Sequence, residues 1–303
     1  MTRVAVLHGG FSSEREVSLA TGAQVMAALR EAGFEVLPVE VTEDLPALIS
    51  ALQAAKPDVV FNALHGPFGE DGCIQGVLDW LKLPYTHSGV RASAMAMDKH
   101  AAKAVFAAAG VTLAQHRIVS PDELEAADPL PRPFVVKPVN EGSSVGVEIL
   151  RDGDNRRGEI ARKWSFGPQV MVEEFIPGRE LTVAVMGDEA LAVTEIDTGH
   201  VFYDYDAKYA DGGSRHVIPA KVPENIAQEA KRIAQLAHHA LGCRGVSRAD
   251  LRYDDETGRV VLLEVNTQPG MTRTSLVPEQ AAHRGIGFAE LCTWMVREAR
   301  HGP

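Results

Sequence analysis

Cysteine is scarce: Cys73, Cys243 and Cys292 are the 3 in a chain of 303 residues, and no C-x-x-C pair occurs. An odd, dispersed set excludes a disulfide scaffold and reads as free thiols packed in a reducing compartment. No run of about 18 apolar residues is present, so no membrane-spanning helix is expected. The first residues lack the basic region, apolar core and cleavage site of a secretory signal, so the expected location is the cytoplasm. Positive charge is in deficit, 30 basic residues against 41 acidic ones for a net charge of −11. That argues against a nucleic-acid or membrane-surface binder but leaves room for a local basic pocket. Three motifs are also missing. There is no G-x-x-x-x-G-K-[ST] P-loop, no G-x-G-x-x-G dinucleotide fingerprint and no H-E-x-x-H. Zinc-protease and nicotinamide-dehydrogenase readings therefore have no motif behind them.

What remains is an ordinary globular composition, 45% hydrophobic and 23% charged, in a chain long enough to bury a large core unaided. Its length suits two domains or three small ones. Residues 3–7, 35–39 and 58–62 read as strands, and a further strand starts at Pro84. Between them Val17, Ala20, Val25, Ala28 and Leu29 share one helical face. Leu45, Leu48, Ile49 and Leu52 make a second stripe, and Ile74, Val77, Leu78 and Leu81 a third. Alternating strand and helix means a parallel sheet covered by helices, with ligands beyond the carboxyl ends of its strands. A single Ala-rich helix is expected over 98–109.

The texture then changes to a mixed unit, with strands at 116–119, 134–137, 146–150 and 170–175 and a polar stretch at 121–132. Strands over 180–186 and 190–197 lead to a long polar loop, 198–214, which reads either as a functional lid, common for loops of that length in compact domains, or as a merely disordered surface loop. A helix over 225–241, a hairpin and a last helix around Phe288, Leu291, Cys292 and Met295 complete the chain.

The hairpin carries the first chemical signal. Centred on Thr257, it sets Asp250 opposite Glu264 and Arg248 opposite Asn266, all four on one face. Carboxylates placed directly opposite repel, and a divalent cation between them turns that into attraction. Asp, Glu and Asn oxygens suit Mg²⁺. The same pattern also reads as a solvated face on which Arg248 and Arg252 neutralise the acids, and a one-residue slip in register would undo the pairing.

Other signals are weaker alone. The run Glu141-Gly142-Ser143-Ser144-Val145-Gly146 can cradle a phosphate or simply join two strands. Lys137, ending an apolar strand, is either a point charge for an anion or a snorkelling side chain. Ser13 and Glu16 fit a capping box, which leaves Glu14 without a role. In His65-Gly66-Pro67-Phe68-Gly69-Glu70-Asp71-Gly72 the acids can serve merely to complement a helix dipole.

Taken in order, these segments resemble the D-alanine–D-alanine ligases. The carriers are the segment from His8-Gly9-Gly10 to Leu19, the His65 to Gly72 loop, Met97-Asp98-Lys99, Val136-Lys137-Pro138 and the Glu141 to Gly146 loop. Tyr203 to Tyr209, Arg248-Ala249-Asp250 and Glu264 to Met271 complete the series, which spans nearly the whole chain. The resemblance implies an α/β ATP-grasp fold. An N-terminal parallel-sheet, Rossmann-like domain (1–94) would be followed by central (95–178) and C-terminal (179–303) mixed α+β domains sandwiching ATP. It implies ATP- and Mg²⁺-dependent joining of two D-alanines through an acylphosphate, for peptidoglycan, in a homodimer.

By the same resemblance Glu14 holds the first D-alanine's ammonium, Ser143 and Tyr209 link to Glu14 and close a lid, and His65 lies near the first substrate. Lys99, Lys137 and Lys208 meet ATP phosphates. Glu173, Glu174 and Ile176 line the adenine pocket and Glu180 takes the ribose. Asp250, Glu264 and Asn266 hold two Mg²⁺, with Mn²⁺ an alternative. Arg248 and the Gly270 amide stabilise the developing charge, and Ser275 and Leu276 receive the second D-alanine's carboxylate. Ser247 and Arg273 depart from the family pattern near the second substrate. The competing functions are a D-alanine–D-lactate ligase, against which Tyr209 speaks, a catalytically inactive nucleotide-binding ATP-grasp protein, and a dehydrogenase built on the N-terminal sheet.

Overall fold

The computed structural model describes residues 1–142, 144–198 and 214–302. Strand β1 (Arg3–Gly9) pairs in parallel with β2 (Glu35–Val41) on one side and β3 (Val59–Asn62) on the other, in the order β2-β1-β3. Val4, Ala5, Val6 and Leu7 are fully buried, the continuous apolar run of a strand covered on both faces. Helices α1 (Arg15–Glu31) and α2 (Leu45–Ala55) make the crossovers, and α3 (Cys73–Trp80) follows β3. The strand expected at Pro84 reduces to an isolated bridge between Tyr85 and Val60.

The Ala-rich helix expected over 98–109 is α5 (Lys99–Ala108), and a further helix the sequence did not signal, α4 (Val90–Met97), precedes it. Asp98 stands extended between them, and its carboxylate accepts the His100 and Ala101 amides. Strands β4 (His116–Val119), β5 (Phe134–Lys137), β6 (Glu148–Leu150) and β7 (Val170–Glu174) form an antiparallel sheet ordered β4-β7-β5-β6. The polar stretch after β4 holds α6 (Pro121–Ala126), started by a capping box of Ser120 and Glu123, and α7 (Arg157–Arg162) packs beside it. This sheet has its own core, including Leu124, Phe134, Val136, Leu150 and Val172.

The third sheet contains β8 (Arg179–Met186), β9 (Glu189–Thr198), β10 (Ser214–Val217), β11 (Val246–Tyr253) and β12 (Val260–Asn266), ordered β10-β9-β8-β11-β12. Across it lies α8 (Glu224–Leu241), whose Ile226, Ala230, Ile233 and Ala237 are buried as their spacing predicts. Helices α9 (Leu276–His283), which the sequence reading missed, and α10 (Phe288–Arg297) finish the chain. Two shared cores join these units. Ala102 and Phe106 of α5 pack with the third sheet and α8. Val4, Val6, Val25 and Leu29 of the parallel unit pack with Ala184, Val246, Met271, Leu291 and Met295. The middle sheet meets the third at a small joint of Ala114, Ile176 and Val261, beside a Leu113–Leu262 bridge.

Candidate active site

Asp250 pairs with Glu264 and Arg248 with Asn266, as the hairpin reading expects. The register holds there because of a bulge: beyond Asp250 the pairing shifts so that Leu251 faces Leu262. The Arg248 guanidinium bonds both Asp250 oxygens at 2.9 and 2.7 Å, and Thr182 Oγ1 donates to Asp250 Oδ1 at 2.7 Å. Arg248 and Asp250 are both buried, so this fork is well defined. Lys99 Nζ lies 3.4 Å from Glu264 and donates to the Glu141 carbonyl.

A cavity of about 440 Å³ opens in front of Arg248, lined by Glu14, His65, Glu70, Gly270, Ser275 and Leu276 among others. A second, of about 100 Å³, is lined by Lys137, Glu173, Glu174, Ile176, Glu180 and Asp250. The two adjoin, sharing Lys99, Glu141, Gly142 and Glu264.

The capping box expected of Ser13 and Glu16 is absent, since Glu14 occupies the N-cap position of α1 with no side-chain capping bond. Instead Ser12 Oγ accepts the Glu14 amide at 3.2 Å and donates to the His65 carbonyl at 2.7 Å, tying the two loops together. Gly66 is required between them. Its φ is +73°, and a Cβ there would stand 3.0 Å from Glu14 Oε2 and 2.9 Å from Ser12 Oγ. Burial and the nearby Arg248 charge pull the His65 pKa down to about 4, so the ring is neutral at pH 7. Burial and the Glu14 carboxylate push Glu70 up to about 8, opposed by the Gly66 amide and Arg248. Glu70 is thus a cavity residue, not a helix-dipole ornament. Its neighbour Asp71 braces the turn, accepting the Phe68 and Cys73 amides at 2.8 and 3.0 Å.

On the far wall, Ser275 stands at the N-cap position of α9 without a side-chain capping bond; its Oγ accepts the Thr272 amide at 3.0 Å, and Ser275 and Leu276 line the cavity beside Gly270. Gln268 holds this segment to the parallel unit through the Asn62 amide at 2.7 Å and the Leu64 carbonyl. His216 also lines the cavity, its ring 2.6 Å from Glu279, and had no sequence signal.

In the second cavity Glu173 is clasped by two ammonium groups at 2.5 Å, Lys137 from β5 and Lys103 from α5. Burial raises its pKa, yet Lys137 and Lys103 together drive it down to about 2. Lys103 escaped the sequence reading, although it follows Lys99 by one helical turn. Glu174 is held by Arg259 at 2.9 Å and Glu180 by Arg252 at 3.5 Å, while Arg252 also donates to the Ile176 carbonyl at 3.2 Å.

Ser143, Lys208 and Tyr209, and residues 199–213 of the expected lid loop, lie outside the described residues. Among the described residues no cluster of three or more His, Cys, Asp or Glu is placed to hold a metal. The expected set has only two carboxylates, Asp250 and Glu264, with the Asn266 amide oxygen as the third donor; Asn266 Oδ1 also accepts the Gln268 amide at 3.1 Å. The two departures face elsewhere. Ser247 Oγ is 2.7 Å from His238 Nδ1 on the α8 side, and Arg273 lies over the Phe288 ring.

Comparison with known proteins gives a consistent picture. A family model described as the D-ala D-ala ligase C-terminus matches residues 105–297, and one for the D-ala D-ala ligase N-terminus matches 47–88. A D-alanine–D-alanine ligase of Acidiphilium cryptum is 69% identical over 99% of each chain. That of Granulibacter bethesdensis is 65% identical over 98% of this chain and 97% of the other. The crystal structure of D-alanine–D-alanine ligase from Bacillus anthracis complexed with ATP aligns at a TM-score of 0.82. It is 31% identical, covering 98% of this chain and 96% of that one. No helix among the described residues is long and apolar enough to cross a membrane.

Proposed function

The chain belongs to the D-alanine–D-alanine ligase family, and we propose how its two adjoining cavities perform the family's reaction. Its activity is the ATP-dependent joining of two D-alanines into the dipeptide used for peptidoglycan. The single observation that carries the division of labour is the shared wall of Lys99, Glu141, Gly142 and Glu264. A phosphoryl group handed across it leaves the nucleotide cavity and enters the amino-acid cavity.

Glu14 takes the ammonium of the first D-alanine by charge-assisted hydrogen bonding. A neutral His65 beside it adds no opposing charge. ATP lies in the smaller cavity, its base against Glu173, Glu174 and Ile176, its ribose hydroxyls on Glu180 and its phosphates toward Lys99 and Lys137, with Lys208 joining from the cover. The first D-alanine's carboxylate attacks the terminal phosphorus, giving an acylphosphate and ADP. The second D-alanine, its carboxylate received by the α9 amide end at Ser275 and Leu276, attacks the acyl carbon through its amine. Arg248 and the Gly270 amide stabilise the negative charge on the transferring phosphoryl group and on the tetrahedral oxyanion. Collapse expels inorganic phosphate.

Two divalent cations, Mg²⁺ or Mn²⁺, fit the donor set of Asp250, Glu264 and Asn266, which is all oxygen and lies on one face of paired strands. Bound there, they would neutralise phosphate charge.

An acylphosphate exposed to water hydrolyses, so we assign residues 198–214, with Ser143 and Tyr209 tied to Glu14, to excluding water. Removing 199–213 should raise ATP hydrolysis relative to dipeptide formation. We further propose that the chain divides at 94 and 178 and acts in the cytoplasm, where ATP is supplied, as a homodimer that sedimentation velocity would detect. The deciding assay measures Mg²⁺- and ATP-dependent phosphate release with D-alanine alone and with added D-lactate, identifying products by mass. One phosphate per dipeptide, with little depsipeptide, is expected. Depsipeptide as the main product would overturn the role given to Tyr209.

A further inference from the structure

The buried trio Lys103–Glu173–Lys137 contains one ammonium group more than the nucleotide cavity needs. Lys137 and Glu173 line that cavity; Lys103 does not. Lys103 is only 1% exposed, enclosed behind Glu173, and its Nζ reaches Glu173 Oε1 while Lys137 takes Oε2. A ligand can draw Lys137 away, and only Lys103 is then left to balance a carboxylate in a dry site.

We propose that Lys103 is a positioning residue that keeps Glu173 an ionised, acceptor-only group when Lys137 turns to the nucleotide, so that the cleft selects a base with an exocyclic amine over one with a carbonyl at that position. This rests on the reading that the base packs against Glu173. An ionised carboxylate accepts hydrogen bonds and cannot donate, whereas a protonated one can donate to a carbonyl. A site built to pair one group strongly rejects an analogue that leaves its buried polar atom unpaired.

The groups facing Glu173 support this division. His116 pairs with it from β4, and burial, aided by the Lys103 charge, lowers the His116 pKa and so disfavours a countercharge on that ring. His100 on α5 stacks edge-on against His116. Glu174 is the next residue on the same strand and is already held by Arg259; Glu264 of β12 acts on Lys103. None of these replaces the Lys103 charge. Burial lowers the Lys103 pKa, and the Glu173 carboxylate opposes that shift. With Lys137 also in place, Glu173 is pulled to about 2, far from any working pH.

The test compares ATP with inosine triphosphate, which differs in bearing a carbonyl where adenine has its amine, using wild type, K103M and E173Q from pH 6 to 8.5. In K103M the KM for ATP should rise about tenfold as the pH falls, and the ATP preference should shrink by about tenfold at pH 6, with the change falling on KM rather than kcat. The wild-type KM should be flat over that range. A merely structural lysine would lower the melting temperature without making KM depend on pH. E173Q, able both to donate and to accept, should discriminate poorly at every pH. An unchanged base preference in E173Q would overturn the placement of the base and the proposal with it. An altered E173Q beside a folded K103M with flat KM and wild-type preference would overturn the role of Lys103 alone. Should K103M not fold, carboxyl-¹³C NMR of the ADP-bound wild type decides, with the Glu173 signal assigned by its loss in E173Q. An ionised Glu173 down to pH 5 supports the proposal, and protonation near neutrality overturns it.

Discussion

The two cavities handle buried charge in opposite ways. On the amino-acid side burial discharges the groups: His65 falls to about 4 and Glu70 rises to about 8, so both are neutral at pH 7. On the nucleotide side burial is overcome by pairing, and Glu173 stays ionised between two lysines. The lesson concerns what each ligand brings. A zwitterionic amino acid carries its own positive and negative ends, and the larger cavity meets them with separate groups. A nucleotide base is uncharged, so its pocket must be balanced before the ligand arrives.

The sharpest way to break the comparison is at the place where the two sides join. R248A removes both the fork on Asp250 and the charge facing the larger cavity. It should lower kcat by about 10²–10³-fold in a phosphate-release assay, and a smaller loss would mean that Arg248 only braces Asp250. Next, E14Q should raise the KM for D-alanine about 10–100-fold while leaving the KM for ATP alone. Equal changes in both constants would erase the division between the cavities. E70Q tests burial without pairing. An acid raised from 4.5 to about 8 by folding gives stability that is fully present below 4.5 and is lost as pH rises through 8. E70Q lacks that loss, so its melting temperature relative to wild type should climb between pH 5 and 8.5; a constant gap would mean that Glu70 is ionised throughout. Smallest of all, S247A removes one bond to His238 outside both cavities and should cost about 1 kcal/mol in denaturant unfolding with kcat unchanged.

Much of this site is legible in the sequence because strand alternation is local. The period of two puts Arg248, Asp250, Glu264 and Asn266 on one face, and by the same rule turns Ser247 to the other, where His238 meets it. The bulge after Asp250 has no such signature, and the register survives at the functional end only because of it. Helix α4 hides in a short alternating run, and α9 in a loop-like segment with no side-chain capping bond at Ser275 to announce it. Glu70 and Lys103 were missed for a different reason. Their chemistry comes from enclosure by distant segments, and a charged letter in a sequence does not say how far it lies from water.

The small joint of Ala114, Ile176 and Val261 has a mechanical consequence. The middle sheet has its own core and meets the third sheet there, next to Glu173–Ile176. Three apolar side chains bury little surface, so the seam beside the base pocket is riveted by charge instead, Glu173 to Lys103 of α5 and Glu174 to Arg259.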